Sequence, residues 1–172
     1  MLPPDLPQSP LSVTVFRVVR EGLDPLVTIG SAKAGGRFNP PNEFAALYTS
    51  LDAKTAAHEV ARGLRARGID PEQFAAGAWW VYELEVHLES VLDFTDLAVL
   101  EKTAIPADSL IGSDVKATRR IAADARDRGY EALLVPSAAA PGSKNLVIFL
   151  DRASVRPIVL SSRPITLSER TR

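Results

Sequence analysis

Residues 35–59, GGRFNPPNEFAALYTSLDAKTAAHE, change local structure twice within twenty-five positions, and this constrains the fold more than any other stretch. Gly35 and Gly36 free the backbone for a tight approach, and Asn39-Pro40-Pro41 stiffens the exit, because each proline fixes its own φ and restricts the residue before it. An apolar run over 44–49 then reads as a buried strand carrying Tyr48. Residues 53–67 read as a helix, with N-cap candidates at 50–52, Ala53, Ala56, Ala57, Val60 and Leu64 on one face, and Gly68 as the stop. Glu59 lies about 100° from Val60, at the border of that face. Arg37, Tyr48 and Glu59 fall eleven residues apart each time. That interval has no helical or strand meaning, so it matters only if loop, strand and helix fold back on one cleft. Taken singly, Arg37 reads as a solvated turn arginine and Glu59 as a surface carboxylate pairing with Arg62 at i+3. Taken together, a guanidinium, a ring and a carboxylate suit a phosphorylated, aromatic, cation-forming substrate.

The rest of the chain supplies the frame. Residues 1–12 open with four prolines in the first ten positions and read as a loose lead-in. Residues 13–18 are strand-like and apolar on both faces, with Arg17 as an anomaly: arginine is rarely buried unpaired, so it ends at a solvent edge or meets an anion. Residues 20–41 are dense in glycine and proline and read as a long excursion without an element. Residues 79–88 alternate as a strand, residues 91–94 read as a second one, and a helix is expected from about 114 to 127 before Gly129. Residues 131–135 and 145–150 read as buried strands and 155–160 as an edge. The spacing predicts one α+β domain over 13–160, with a mixed or antiparallel central sheet and flanking helices, followed by a polar tail over 161–172.

Composition excludes several classes. The 172 residues are 46% hydrophobic and carry a formal net charge of −1 with acids and bases interspersed, which leaves no basic footprint for nucleic acid. No cysteine is present, and His58 and His87 are the only imidazoles, so disulfides and thiol chemistry are excluded and a dedicated zinc site is not expected. No apolar run approaches a membrane span, and the N-terminus lacks the basic-then-apolar order of a signal peptide; a cytoplasmic protein is expected. No GxGxxG fingerprint occurs, which disfavours hydride transfer.

Several of these pieces also resemble a family, the RES domain toxins of bacterial toxin–antitoxin pairs. The resemblance is carried by Phe16-Arg17, GGRFNPP at 35–41, LYTS at 47–50, the helix ending in AAHE at Glu59, VPSA at 135–138 and NLVIF at 145–149. Where many relatives carry an arginine just after PSA, Ala139 and Ala140 stand here. The resemblance implies an ADP-ribosyltransferase-like fold and an enzyme that consumes NAD by glycohydrolysis, phosphorolysis or ADP-ribosyl transfer, with NAD as substrate and no further cofactor. It implies that Arg17 and Arg37 hold NAD phosphates or ribose, that Tyr48 stacks near nicotinamide, and that Glu59 is the catalytic carboxylate. Ser137 would line the nicotinamide side, and Asn145 matches the pattern without an assigned role. It also implies a partner, an Xre-type helix-turn-helix antitoxin covering the cleft. An inactive nucleotide- or partner-binding module is the alternative of another class.

Overall fold

The computed structural model describes residues 1–167. Its strands are β1 (Ser9–Arg20), β2 (Leu47–Ser50), β3 (Trp79–Asp93), β4 (Ala132–Pro136), β5 (Lys144–Ile148) and β6 (Ile158–Ile165). Its helices are α1 (Ile29–Ala34), α2 (Ala53–Arg65), α3 (Leu97–Thr103), α4 (Ala107–Ile111) and α5 (Val115–Asp127), with a 3-10 turn at Pro71–Gln73. The expected single α+β domain with a mixed sheet is what the chain forms, but the sheet closes on itself.

Closure follows from the length of β3. The expected strands at 79–88 and 91–94 are one strand of fifteen residues. One edge of β3 pairs antiparallel with β1 from Trp79 to Val91. Its other edge is shared, by antiparallel β6 over Trp79–Glu85 and by parallel β4 at Val91, Leu92 and Asp93. The order β1-β2-β5-β4-β3 then returns to β1, giving a ring of five strands with β6 appended outside it. The seam between β1 and β2 is a single residue pair, Phe16 with Ser50.

Alternation along the strands assigns the core. Ala132 and Leu134 of β4, with Leu146 and Ile148 of β5, pack inside the ring with Val15, Leu47, Leu84 and Val86. Leu133, Val135 and Val147 point the other way, into a second cluster with Phe94, Leu110, Ala122 and Ala125 from the α3–α5 side. Both faces of β4 and β5 are therefore buried, which explains their unbroken apolar runs. On the opposite flank α2 lays Ala56, Ala57, Ala61 and Leu64 on Val18 and Val81. Asp52 caps α2 by accepting from the Thr55 N–H at 2.8 Å, so Ser50 belongs to β2 rather than to the cap.

Three expectations are corrected. The lead-in is not loose: Leu2 and Leu6 are buried, and Arg128 and Tyr130 donate to the carbonyls of Pro3 and Leu6 at 2.8 and 3.2 Å. The excursion at 20–41 contains α1, whose Ser31 hydroxyl donates to the Ala46 carbonyl at 2.8 Å and ties the helix to the start of β2. The tail does not begin at 161, because ladder pairing with β3 carries β6 to Ile165; positions 168–172 of that expected tail lie outside the described residues.

Candidate active site

The loop that carries Arg37 is fixed from both sides. Tyr48 Oη donates to Asn39 Oδ1 at 2.8 Å and accepts from the Phe38 N–H at 2.9 Å. Asn39 is fully buried, and its Nδ2 donates to the carbonyls of Ser31 and Phe44 at 2.7 and 2.9 Å. A Cβ on Gly36 would lie 2.3 Å from the Tyr48 hydroxyl oxygen, so only glycine permits this approach. From the α5 side, Thr118 Oγ1 donates to the Arg37 carbonyl at 2.6 Å and Arg119 Nε to the Gly36 carbonyl at 2.8 Å. Arg37 Nη1 itself donates to the Gly112 carbonyl. Burial pushes the Tyr48 phenol up to about 12, so it stays protonated at neutral pH, with its hydroxyl engaged as the clamp on Phe38 and Asn39.

The carboxylate of Glu59 is held by two donors from distant chain. Ser137, just past β4, donates through Oγ to Glu59 Oε1 at 2.7 Å, and Asn145 of β5 donates through Nδ2 to the same oxygen at 2.6 Å. The Asn145 amide is oriented in turn by Ser50, whose Oγ donates to its Oδ1 at 2.7 Å. Ser137 Oγ also accepts from the N–H groups of Ala139 and Ala140 at 3.2 and 3.1 Å. Those amides are thereby occupied within the turn. Both hydrogen bonds to the carboxylate fall on Oε1. Among the described residues Oε2 has no partner, and Glu59 borders the cavity.

That cavity encloses about 610 Å³, within the usual size of a small-molecule site. Arg17, Arg37, Tyr48, Glu59 and Asn145 all line it. Arg17 follows Val13 and Val15 on one face of β1. Its Nη2 donates to the Val27 carbonyl at 3.0 Å, while its Nη1 is buried with no hydrogen-bond partner among the described residues. Burial lowers its pKa to about 10, well above neutrality, so the guanidinium keeps its charge. A buried, charged and half-satisfied fork is unfavourable by itself and is relieved by an anion. Among the described residues, no group of three histidine, cysteine, aspartate or glutamate side chains comes together as metal ligands, and no helix is long and apolar enough to cross a membrane.

The structure therefore brings five of the six residues singled out from sequence to one cavity. Ser137 is buried behind the wall, between the cavity-lining Pro136 and Ala138, and meets Glu59 instead. Sequence reasoning missed Ser50, Asn39 and Arg119. A serine beside a helix start and an asparagine before two prolines carry no signal beyond capping and turn chemistry, and Arg119 sits on a helix face that only tertiary contact distinguishes.

Comparisons with known proteins identify the family and the fold. A family model described as the RES domain matches residues 14–168. The chain is 28% identical over 152 residues to the NAD(+) phosphorylase MbcT of Mycobacterium bovis and of Mycobacterium tuberculosis, spanning 88% of this chain and 80% of theirs. It is 32% identical over 119 residues to the probable NAD(+) phosphorylase Rv3189 of M. tuberculosis, spanning 69% of this chain and 55% of that one. Among solved structures, the crystal structure of the M. tuberculosis MbcT–MbcA toxin–antitoxin complex matches with a TM-score of 0.81 at 25% identity, over 93% of this chain and 87% of that one.

Proposed function

The chain belongs to the RES domain family, and on that premise we propose that it is a toxin that cleaves the nicotinamide–ribose bond of NAD and passes the ADP-ribosyl group to phosphate. The observation that carries the reading is the fixed carboxylate. Glu59 is clamped through Oε1 by Ser137 and Asn145, leaves Oε2 without a partner among the described residues, and lines a cavity that five arginines share. When nicotinamide departs, positive charge builds at the ribose C1′, and a preorganised carboxylate stabilises it without having to reorganise. Nicotinamide needs no acid, since the ring nitrogen leaves neutral by taking the bond's electron pair.

The remaining groups bind and orient. Arg17 offers its unpaired Nη1 to the pyrophosphate, and Arg37 holds phosphate or ribose oxygens from its tethered loop. The Tyr48 ring provides a wall for the pyridinium through a cation–π contact. α2 lines the cavity from Ala56 to Gly63, about 10 Å at 1.5 Å per residue, and Arg67 extends the same wall just past its end. We read the grouping of ring, α2 and arginines as ADP-ribosyltransferase-like. NAD is the substrate and no further cofactor is required, and the protein acts in the cytoplasm with an Xre-type antitoxin covering the cleft. Its relative MbcT was solved in complex with the antitoxin MbcA.

Incubation of the purified protein with NAD, with and without phosphate, tests the activity. Free nicotinamide and an ADP-ribose phosphate, identified by mass, are expected; intact NAD would refute it. For the partner, growth and total NAD are followed in cells expressing the chain alone or together with its antitoxin. Unimpaired growth of the former would refute the toxin role.

A further inference from the structure

Glu59 and Arg62 lie three residues apart on α2, the spacing at which opposite charges on a helix meet. They do not pair here. Glu59 Oε1 takes Ser137 and Asn145 instead, and among the described residues the Arg62 guanidinium has neither a hydrogen bond nor an ion pair. Arg62 is exposed, and it lines the cavity.

Arg17, Arg20, Arg37, Arg62 and Arg67 line that cavity, and Glu59 is the one carboxylate among its lining residues. The pyrophosphate of NAD is a dianion, so the wall holds more positive charge than the dinucleotide requires. The arginines are not equivalent. Arg20 stacks over the rings of Phe74 and Trp79 at 5.0 and 5.3 Å, and Arg67 Nε is bonded to the Gly63 carbonyl at 3.0 Å. Arg17 Nη2 is bonded to the Val27 carbonyl. Arg62 alone among the five has no protein contact for its charge among the described residues, and it sits one helical turn from the catalytic carboxylate. Arg37 lies within electrostatic range of both: burial lowers its guanidinium pKa, Arg62 lowers it further, and Glu59 raises it.

We propose that Arg62, together with Arg37, binds the inorganic phosphate that accepts the ADP-ribosyl group beside Glu59, an inference that rests on the reading that the chain cleaves NAD. In the step, an oxygen of hydrogen phosphate dianion forms a bond to C1′ as the C1′–N bond breaks. The electron pair of that bond goes to the pyridinium nitrogen, neutral nicotinamide leaves, and no proton need move. The two guanidinium charges offset the repulsion between the incoming dianion and Glu59, which otherwise would keep an anionic nucleophile from a site built around a carboxylate.

Steady-state kinetics separate the two substrates. Arg62→Ala is expected to raise the KM for phosphate at least about tenfold, the loss typical of a charge-assisted contact, while the KM for NAD moves less than about twofold. Arg62→Lys, which keeps the charge without the fork, is expected to recover part of the difference. Because Arg62 is exposed, the melting temperature should hold, and circular dichroism checks it. An unchanged phosphate KM in a folded Arg62→Ala protein overturns the assignment, as does an equal rise in Arg67→Ala, which would mean a diffuse field rather than a site. Wild-type NAD cleavage that ignores phosphate also overturns it while leaving NAD cleavage itself intact. Wild-type protein that leaves NAD untouched refutes the underlying reading instead.

Discussion

Replacing Glu59 by glutamine tests the catalytic assignment most directly, because the geometry dictates how the amide must sit. Oε1 accepts from both Ser137 and Asn145, and an NH2 group cannot accept from either. The glutamine carbonyl must therefore take the Oε1 position, which puts the NH2 where Oε2, without a partner among the described residues, now stands. A negative charge facing the ribose is replaced by the positive end of a dipole. For a carboxylate about 4 Å from C1′ at an effective dielectric near 20, the lost interaction is about 4 kcal/mol, or roughly a thousandfold in rate. In bulk water the same charge contributes about 1 kcal/mol, or roughly fivefold. The two regimes are far enough apart to distinguish. Nicotinamide release is followed by chromatography under saturating NAD, with calorimetry to confirm that NAD still binds. A loss below about tenfold, in a variant that melts and binds like the wild type, would refute electrostatic stabilisation by Glu59.

Other perturbations reach different parts of the site. Arg17→Met removes the partnerless buried Nη1 together with one bond to the Val27 carbonyl, so the ligand-free protein should melt no more than a few degrees lower while NAD affinity falls at least about tenfold by calorimetry; a large drop in melting temperature with affinity intact would make Arg17 structural. Gly36→Ala drives a Cβ to 2.3 Å from Tyr48 Oη, and should destabilise by about 1–3 kcal/mol in denaturant unfolding and abolish NAD binding through the displaced Arg37; wild-type binding would contradict the loop's role. Glu131 is a buried carboxylate whose burial alone would raise its pKa, yet hydrogen bonds from Ser154, Glu89 and Ser90 outweigh this and hold it below the ordinary value. Its folded pKa being depressed, the stabilisation is complete above about pH 4.3, where the unfolded side chain titrates, and fades as pH falls through the folded value. Glu131→Gln should therefore cost about 1–3 kcal/mol at pH 7 and less near about pH 3; equal losses at both, by calorimetric melting, would rule this out.

How far the sequence discloses the site depends on where each residue's partner lies. Arg37 and Tyr48 are legible because the glycines, prolines and apolar run that position them are their neighbours. Glu59 is legible as the border residue of an amphipathic helix, and its ordinary partner by spacing is Arg62. The observed partners are 78 and 86 residues further along, at distances no local pattern encodes. The same holds for the frame. Alternation over 79–88 is visible, but closure of the ring depends on β3 running on to Asp93 and sharing one edge between β4 and β6, a property of pairing rather than of composition. The prolines at the start read as loose chain, and they do lack regular structure until Ser9; what fixes them is Leu2 and Leu6 finding a core drawn mostly from residues past 90, with Phe38, Phe44 and Ala46. Likewise the hydroxyl of Tyr48, which a pattern treats as incidental to the ring, is the joint that holds Asn39 and Phe38.

The 78 and 86 residues that separate Glu59 from Ser137 and Asn145 also set a clock. A ribosome that has just released α2 has made a carboxylate with neither of its donors, facing a ring whose β4 and β5 do not yet exist. At 5–20 residues per second the second donor follows roughly 4–17 s later. The site cannot assemble piecemeal during synthesis; it appears only once β5 has been made and the ring closes. A chain cut short before β5 has neither a closed ring nor the Asn145 amide that helps to fix the Glu59 carboxylate.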